Sequence, residues 1–327
     1  MGIQDVLREC LNGTKVNFST LIKERMVGAP PLRVGVDLSV YAHQGIRAQS
    51  IKEIYAMDFV AKPQMDISGY AWAILDDFLY AIELLAPNGE IDLYFIFDSC
   101  QNPRKKETSA QRREKTKQAA SDLQKYIHSK EVYKESKLKE LMCNCVYPDN
   151  AFFAACYEWA KTRGIKCFSS PFEADHQLAY MKFDYVLTTD SDIIMLGANV
   201  LSGLNLHPDN TCFGDATLYD ETCCLDFMKT VVPESTSLSN DELLIHFYCF
   251  CTFLGCDYVS RAGGLSSKFL IANFSAWCQS RQGRESILHS IETSGSFFMA
   301  QTDSDQRNVA PFPDYVKKWK SSTGCSV

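Results

Sequence analysis

"YVLTTDSDIIMLG", residues Tyr185 to Gly197, joins an apolar run to two closely spaced aspartates. Its first half, Tyr185-Val186-Leu187-Thr188-Thr189, is a short apolar and β-branched run, the pattern of a buried strand. Asp190-Ser191-Asp192 follows at once, and the apolar Ile193-Ile194-Met195-Leu196 lies just beyond. Two anions at the mouth of a strand raise a question that the pair alone does not answer.

The same arrangement recurs along the chain. Leu32 to Val36 reads as a strand that ends in Asp37, and Ile91 to Phe97 as one that ends in Asp98. FLGCD closes an apolar run on Asp257, and SPFEAD sets Glu173 and Asp175 at the start of a helix, residues 172–181, after a strand at 165–168. Further helices are expected over 70–85, closed by the turn Pro87-Asn88-Gly89, and from the cap Asp149 through Ala160, ended by Gly164. Alternation of strand and helix runs to about Asp220. The remainder is mainly helical, with segments over 241–254, 268–274 and 284–293. The pattern predicts an α/β fold: a mostly parallel twisted sheet flanked by helices on both faces.

In such a sheet the carboxyl ends of the strands share one edge, where open α/β folds place their sites. Asp37, Asp98, Glu173, Asp175, Asp190, Asp192 and Asp257 are therefore expected to converge. Any one of them is explained by a helix cap or a turn. Seven together are costly unless a cation neutralises them. Hard oxygen donors without clustered His or Cys select Mg²⁺ or Mn²⁺. Their number suits a pair of ions about 3.5–4 Å apart that clamp a phosphodiester during attack by water.

Composition sets the bounds. The 327 residues are 46% hydrophobic and 22% charged, as expected of a soluble globular chain. No apolar stretch reaches the roughly 18–20 residues that span a bilayer, so no membrane partner is expected. MGIQDVLREC lacks the apolar core of a signal peptide. The 14 cysteines show no paired C-x-x-C spacing. The expectation is reduced thiols, mostly core fillers, in nucleus or cytosol.

The net charge of −7 is unevenly spread. Residues 101–140 hold twelve Lys/Arg against six Asp/Glu, which leaves 21 basic and 34 acidic residues elsewhere. A charge run is often a solvated helix face, but a basic segment beside an acidic cluster also suits a polyanionic substrate. After Pro103 this segment is helix-forming with little apolar face, and it is expected to stand away from the core. Other chemistries fit less well. Asp37-Leu38-Ser39 breaks the D-x-D of an aspartyl phosphatase, and no phosphate-binding loop, dinucleotide turn or G-x-S-x-G elbow is present. His176, inside EADHQ, reads as a supporting or surface residue.

Taken in order, MGIQDVL, VGVD, IFD with its basic helix, SPFEADHQLAY, TTDSDIIMLG and LGCDY resemble the Rad2/XPG family of structure-specific 5′ nucleases. Within it, EADHQLAY and DSCQNPRKKE are similar to the exonuclease-one branch. The resemblance implies a PIN-like 5′-nuclease core, one compact nuclease domain overall. Its parts would be an N-terminal nuclease region over 1–100, a basic helical arch over 101–148 and an internal nuclease region over 149–256. A helix–two-turn–helix-like region and C-terminal helices would follow over 257–327.

It also implies Mg²⁺-dependent 5′→3′ exonuclease and 5′ flap endonuclease activity on DNA in repair, replication or recombination. Two Mg²⁺ ions are implied, with Mn²⁺ substituting. Asp37, Asp98, Glu173 and Asp175 would form one ion cluster, and Asp190 and Asp192, supported by Asp257, the other. Lys105 and Arg112 would steer the scissile phosphate. Gly2, His43, Arg104, Lys106, Arg113, Gly263, Gly264 and Lys268 are the implied DNA contacts.

Relatives carry a K⁺-binding G-[IV]-G-x-x-[KR]-A loop after LGCDY, where this chain has VSRAGGLSSKFL. No clamp-binding peptide is visible near the C-terminus, where Asp314 to Lys320 reads as a docking helix or tail. A nuclear or cytosolic monomer is expected, with 5′ ends, flaps or nicks of DNA as its partner. The alternatives are a catalytically silent DNA-binding scaffold of this fold and the same chemistry on RNA.

Overall fold

A seven-stranded sheet in the order β1-β7-β6-β5-β2-β3-β4 organises the protein. It is seen in a computed structural model that describes residues 10–24, 28–54, 68–98, 106–129, 137, 140–141, 144–145, 148, 150–171, 173–232, 238–254 and 267–279. The strands are β1 (Thr14–Asn17), β2 (Leu32–Asp37), β3 (Ile91–Phe97), β4 (Lys166–Ser169), β5 (Tyr185–Leu187), β6 (Val200–Ser202) and β7 (Asp215–Tyr219). From β6 through β5, β2 and β3 to β4 every pairing is parallel. The sheet is mostly parallel, as expected, and the remaining edge is the exception, because β7 pairs antiparallel with both β6 and β1. The sequence reading assigned no strand before Leu32. TKVN is half-exposed and lacks apolar alternation, so β1 exists through its pairing with β7, some 200 residues away.

Side chains alternate across the sheet and build a core on each face. On one face Val34 and Val36 of β2 join Leu93, Phe95 and Phe97 of β3. They pack beneath α2 (Leu38–Ile54), α3 (Ser68–Leu85) and α5 (Asn150–Thr162). On the other face Tyr94 and Ile96 meet α6 (Ala174–Tyr180), α7 (Asp192–Met195), α8 (Glu221–Val231), α9 (Asn240–Leu254) and α10 (Ser267–Gln279). A short α1 (Phe18–Lys23) links the β1 edge to the first core.

Gly35 explains how closely α6 approaches. A Cβ built there would lie 2.5 Å from Phe183 and 2.7 Å from Leu178, so only glycine lets the strand run beneath that helix. Gly164, at φ +69°, takes the left-handed turn that ends α5, as its position in the sequence predicts.

The basic segment forms α4 (Lys106–Ser129). From Ala110 to Lys115, including Arg112 and Arg113, it is solvent-exposed, but Ala119 and Leu123 are buried. These two apolar residues four apart anchor a helix that the sequence reading placed wholly away from the core. Six of the ten described cysteines are buried, and all ten are free thiols. No helix among the described residues is long and apolar enough to cross a membrane. Helices α9 and α10 flank the expected helix–two-turn–helix, whose turns lie outside the described residues. The expected helix over 284–293 and the segment Asp314 to Lys320 lie outside them as well.

Candidate active site

The order of the strands determines where a site forms. The chain runs outward from β2 to β3 and β4, then returns to place β5 and β6 on the other side of β2. Connections therefore leave in opposite directions at β2 and β5, which opens a crevice at their carboxyl ends. The register aligns Val36 with Leu187 on one side, and Asp37 with Ile96 on the other. The next residues along the strands bring Thr188, Asp37 and Asp98 to the same edge.

Asp37 is 4% exposed, the first buried anion of this edge. Its Oδ1 accepts the Val40 N–H at 3.2 Å, and its Oδ2 accepts the Thr188 hydroxyl at 3.2 Å. Asp37 is thus a helix cap as well as a site candidate, and the two readings of a strand-end aspartate coexist in it. Asp98 is exposed. Its Oδ2 accepts the Ser39 hydroxyl at 2.5 Å, and its Oδ1 accepts the Ala174 N–H at 2.7 Å, which ties it to the start of α6 between Glu173 and Asp175. Glu173 is half-buried at the N-cap of α6, and Asp175 is buried in its first turn.

On β5 the Thr188 Oγ1 accepts the Asp190 N–H at 3.0 Å, and Asp190 Oδ1 accepts the Asp192 N–H at 3.1 Å. Asp192 is buried at the start of α7. Gln44 of α2 donates to Thr189 Oγ1 at 3.1 Å, a second tie between the β2 and β5 segments.

The electrostatics follow from this placement. Burial pushes the Asp37 carboxyl up to about 7 from 3.8, and the charges of Asp98 and then Asp190 add to the rise. The Val40 and Thr188 hydrogen bonds oppose it without cancelling it. A buried carboxylate against two like charges is an arrangement that a cation completes. Ser191, between Asp190 and Asp192, has a buried hydroxyl with no hydrogen-bond partner among the described residues. The donors are hard oxygens, which fit a divalent ion of the Mg²⁺ type.

Among the described residues, however, no three His, Cys, Asp or Glu side chains stand close enough together to hold an ion unaided. Asp257, the seventh expected member, lies outside the described residues.

The other expected site residues divide similarly. Arg112 and Arg113 are exposed on α4, His43 is half-buried on α2, and Lys268 is exposed at the start of α10. Lys106 opens α4. Gly2, Arg104, Lys105, Gly263 and Gly264 lie outside the described residues. Sequence reasoning missed Ser39, Thr188, Gln44 and the Ala174 amide. The available signal was small hydroxyl residues within two positions of strand-end aspartates.

Solved structures share this open α/β sheet. The catalytic core of Rad2 in complex with DNA substrate superposes with a TM-score of 0.52 at 16% identity, over 96% of this chain and 78% of that one. Human GEN1 in complex with Holliday junction DNA gives 0.51 at 14% identity, over 93% and 61%. These likenesses speak to the fold. In sequence, residues 164–257 match the XPG I-region. Exodeoxyribonuclease 1 of Saccharomyces cerevisiae is 26% identical over 224 residues, 65% of this chain and 28% of that protein. Exonuclease 1 of Danio rerio is 30% identical over 177 residues, 52% and 20% of the two chains. The chain thus covers under a third of either relative's length. Over residues 164–257 the chain therefore resembles the XPG I-region, and more widely it is similar in sequence to exonuclease 1 proteins.

Proposed function

We propose that this protein is a divalent-metal-dependent 5′→3′ exonuclease and structure-specific 5′ flap endonuclease that hydrolyses DNA phosphodiesters, acting in the nucleus. The observation that carries the reading is the placement of buried Asp37 at the sheet's switch point, linked through Thr188 to Asp190, with Asp98 held nearby by Ser39. Its relatives' names, exonuclease 1 and exodeoxyribonuclease 1, support the same activity.

Asp37, Asp98, Glu173 and Asp175 would hold one Mg²⁺, and Asp190, Asp192 and Asp257 a second. Bound there, such ions lower the pKa of water and offset charge on a departing 3′ oxygen. The chain's own groups do the rest. Exposed Arg112 and Arg113 on α4, with Lys105 before it, draw the phosphate backbone toward the carboxylate edge and hold it by charge. Burial of Asp37 and Asp192 keeps bulk water from screening the site. His43 on α2 and Lys268 on α10 would contact the DNA on either side.

To test this, 5′-labelled flap and nicked duplexes are incubated with the protein and Mg²⁺. Cleavage that chelator and Asp190→Ala both abolish is expected. Equal traces for wild type and Asp190→Ala would reject the reading. One observation favours the alternative of a catalytically silent DNA-binding scaffold: no three described side chains could hold an ion unaided. Such a protein would shift flap DNA in a gel without cutting it. Matched RNA flaps in the same assay separate DNA from RNA specificity.

A further inference from the structure

We infer that Ser39 and Thr188 are positioning residues whose hydroxyls orient the Asp98 and Asp37 carboxylates for a divalent cation while leaving their charge intact. The inference rests on the metal-nuclease reading above and deepens it.

Asp98 stands just past the end of β3 and is exposed, so nothing in its own strand restricts its side chain. Two other segments hold it instead. The Ser39 hydroxyl, from the second residue of α2, donates to Oδ2 at 2.5 Å, and the Ala174 amide, at the start of α6, donates to Oδ1 at 2.7 Å. Asp37 is treated alike. Its Oδ1 takes the Val40 N–H at 3.2 Å, and its Oδ2 takes the Thr188 hydroxyl at 3.2 Å. The Thr188 oxygen accepts the Asp190 N–H in turn, at 3.0 Å, so one hydroxyl sets two neighbouring acidic residues relative to each other. Each hydroxyl also crosses between strands: Ser39 joins the end of β2 to β3, and Thr188 joins β5 to β2.

The chemistry of the donors matters as much as their positions. Every donor named here is a neutral hydroxyl or backbone amide. A carboxylate oxygen has two lone-pair directions, so one donor per oxygen leaves the other free for a ligand. A lysine in either place would supply the counter-charge itself and displace the cation. Hydroxyls orient without neutralising, which is what outer partners of metal-binding carboxylates do. Both residues are small, so they reach across a narrow gap between strands without filling the crevice.

The test is Mn²⁺ titration of the full chain without DNA, followed by electron paramagnetic resonance or calorimetry. Ser39→Ala and Thr188→Val should each weaken Mn²⁺ binding about 10–100-fold, the usual cost of losing an outer partner. Ser39→Thr and Thr188→Ser should recover most of it. Melting in chelator checks that each variant is folded, and Ser39→Ala carries the test alone if Thr188→Val is not. Affinities within about twofold of wild type in both variants, with binding lost in Asp98→Asn, would reduce the two residues to structural roles and overturn the inference. Unchanged binding in Asp98→Asn as well would overturn the metal reading and the positioning roles with it.

Discussion

Replacing Asp37 with asparagine should stabilise the metal-free protein at pH 8 while abolishing its function. The carboxyl titrates near 7 in the fold against 3.8 ordinarily, chiefly through burial and then through Asp98 and Asp190. Its folded value is raised, so the protonated form is favoured in the native state. The associated stability is present in full below about pH 4 and is lost as the pH climbs through about 7. A rise of about three pKa units corresponds to about 4 kcal/mol by pH 8. Asparagine keeps an oxygen for the Val40 amide and removes the charge, at the expense of weaker hydrogen bonds of about 1–2 kcal/mol in total.

The net gain is then about 2–3 kcal/mol. At the roughly 2–4 °C per kcal/mol typical of chains somewhat smaller than this one, Tm should rise by about 4–12 °C. Thermal melts in chelator at pH 8 and pH 4 provide the assay. The variant should melt higher at pH 8 and slightly below wild type at pH 4, where only the hydrogen-bond loss remains. Added Mn²⁺ should then stabilise wild type, by about 2.7 kcal/mol at a hundred times its Kd, and leave the variant unmoved. An asparagine variant that melts at or below wild type at pH 8 in chelator would refute the claim that Asp37 is a buried charge awaiting a cation.

Other expectations follow from the same geometry. Asp190→Ala should cut flap cleavage at least about a hundredfold, beyond the usual effect of losing an outer partner, as steady-state assays with Mg²⁺ would register. Lys105→Ala and Arg112→Ala should lower kcat far more than they weaken DNA binding, and equal losses in both would make those residues tethers. Gly35→Ala should destabilise the fold by about 1–3 kcal/mol in urea, because its Cβ meets Phe183 and Leu178 at 2.5 and 2.7 Å; a neutral result would mean that α6 moves freely.

The parts of the fold legible in the sequence were those where local pattern and tertiary role agree. Buried parallel strands read as short apolar runs, so β2, β3 and β5 announced themselves, with the expected acids at their ends or within three residues beyond. Gly164 and the helix before it were equally plain. The antiparallel edge was not. β1 is four residues long, and its pairing depends on β7 rather than on any pattern of its own. In α4 the pair Ala119 and Leu123 was too small a signal against two dozen mostly polar residues.

In the site, charge was legible and its supports were not. Ser39 was noticed only as the residue that spoils a phosphatase motif, yet it grips Asp98. A hydroxyl acts through reach and direction, and one-dimensional spacing shows neither. Thr188 passed as a strand residue for the same reason, although its oxygen links Asp37 and Asp190.

Diffraction from crystals soaked in Mn²⁺, collected at the manganese edge, shows whether the carboxylate edge takes up metal. Anomalous density is expected at the carboxyl ends of β2, β3 and β5, within coordination distance of Asp37, Asp98 and Asp190. A map with no manganese beside those three carboxylates would contradict the metal reading.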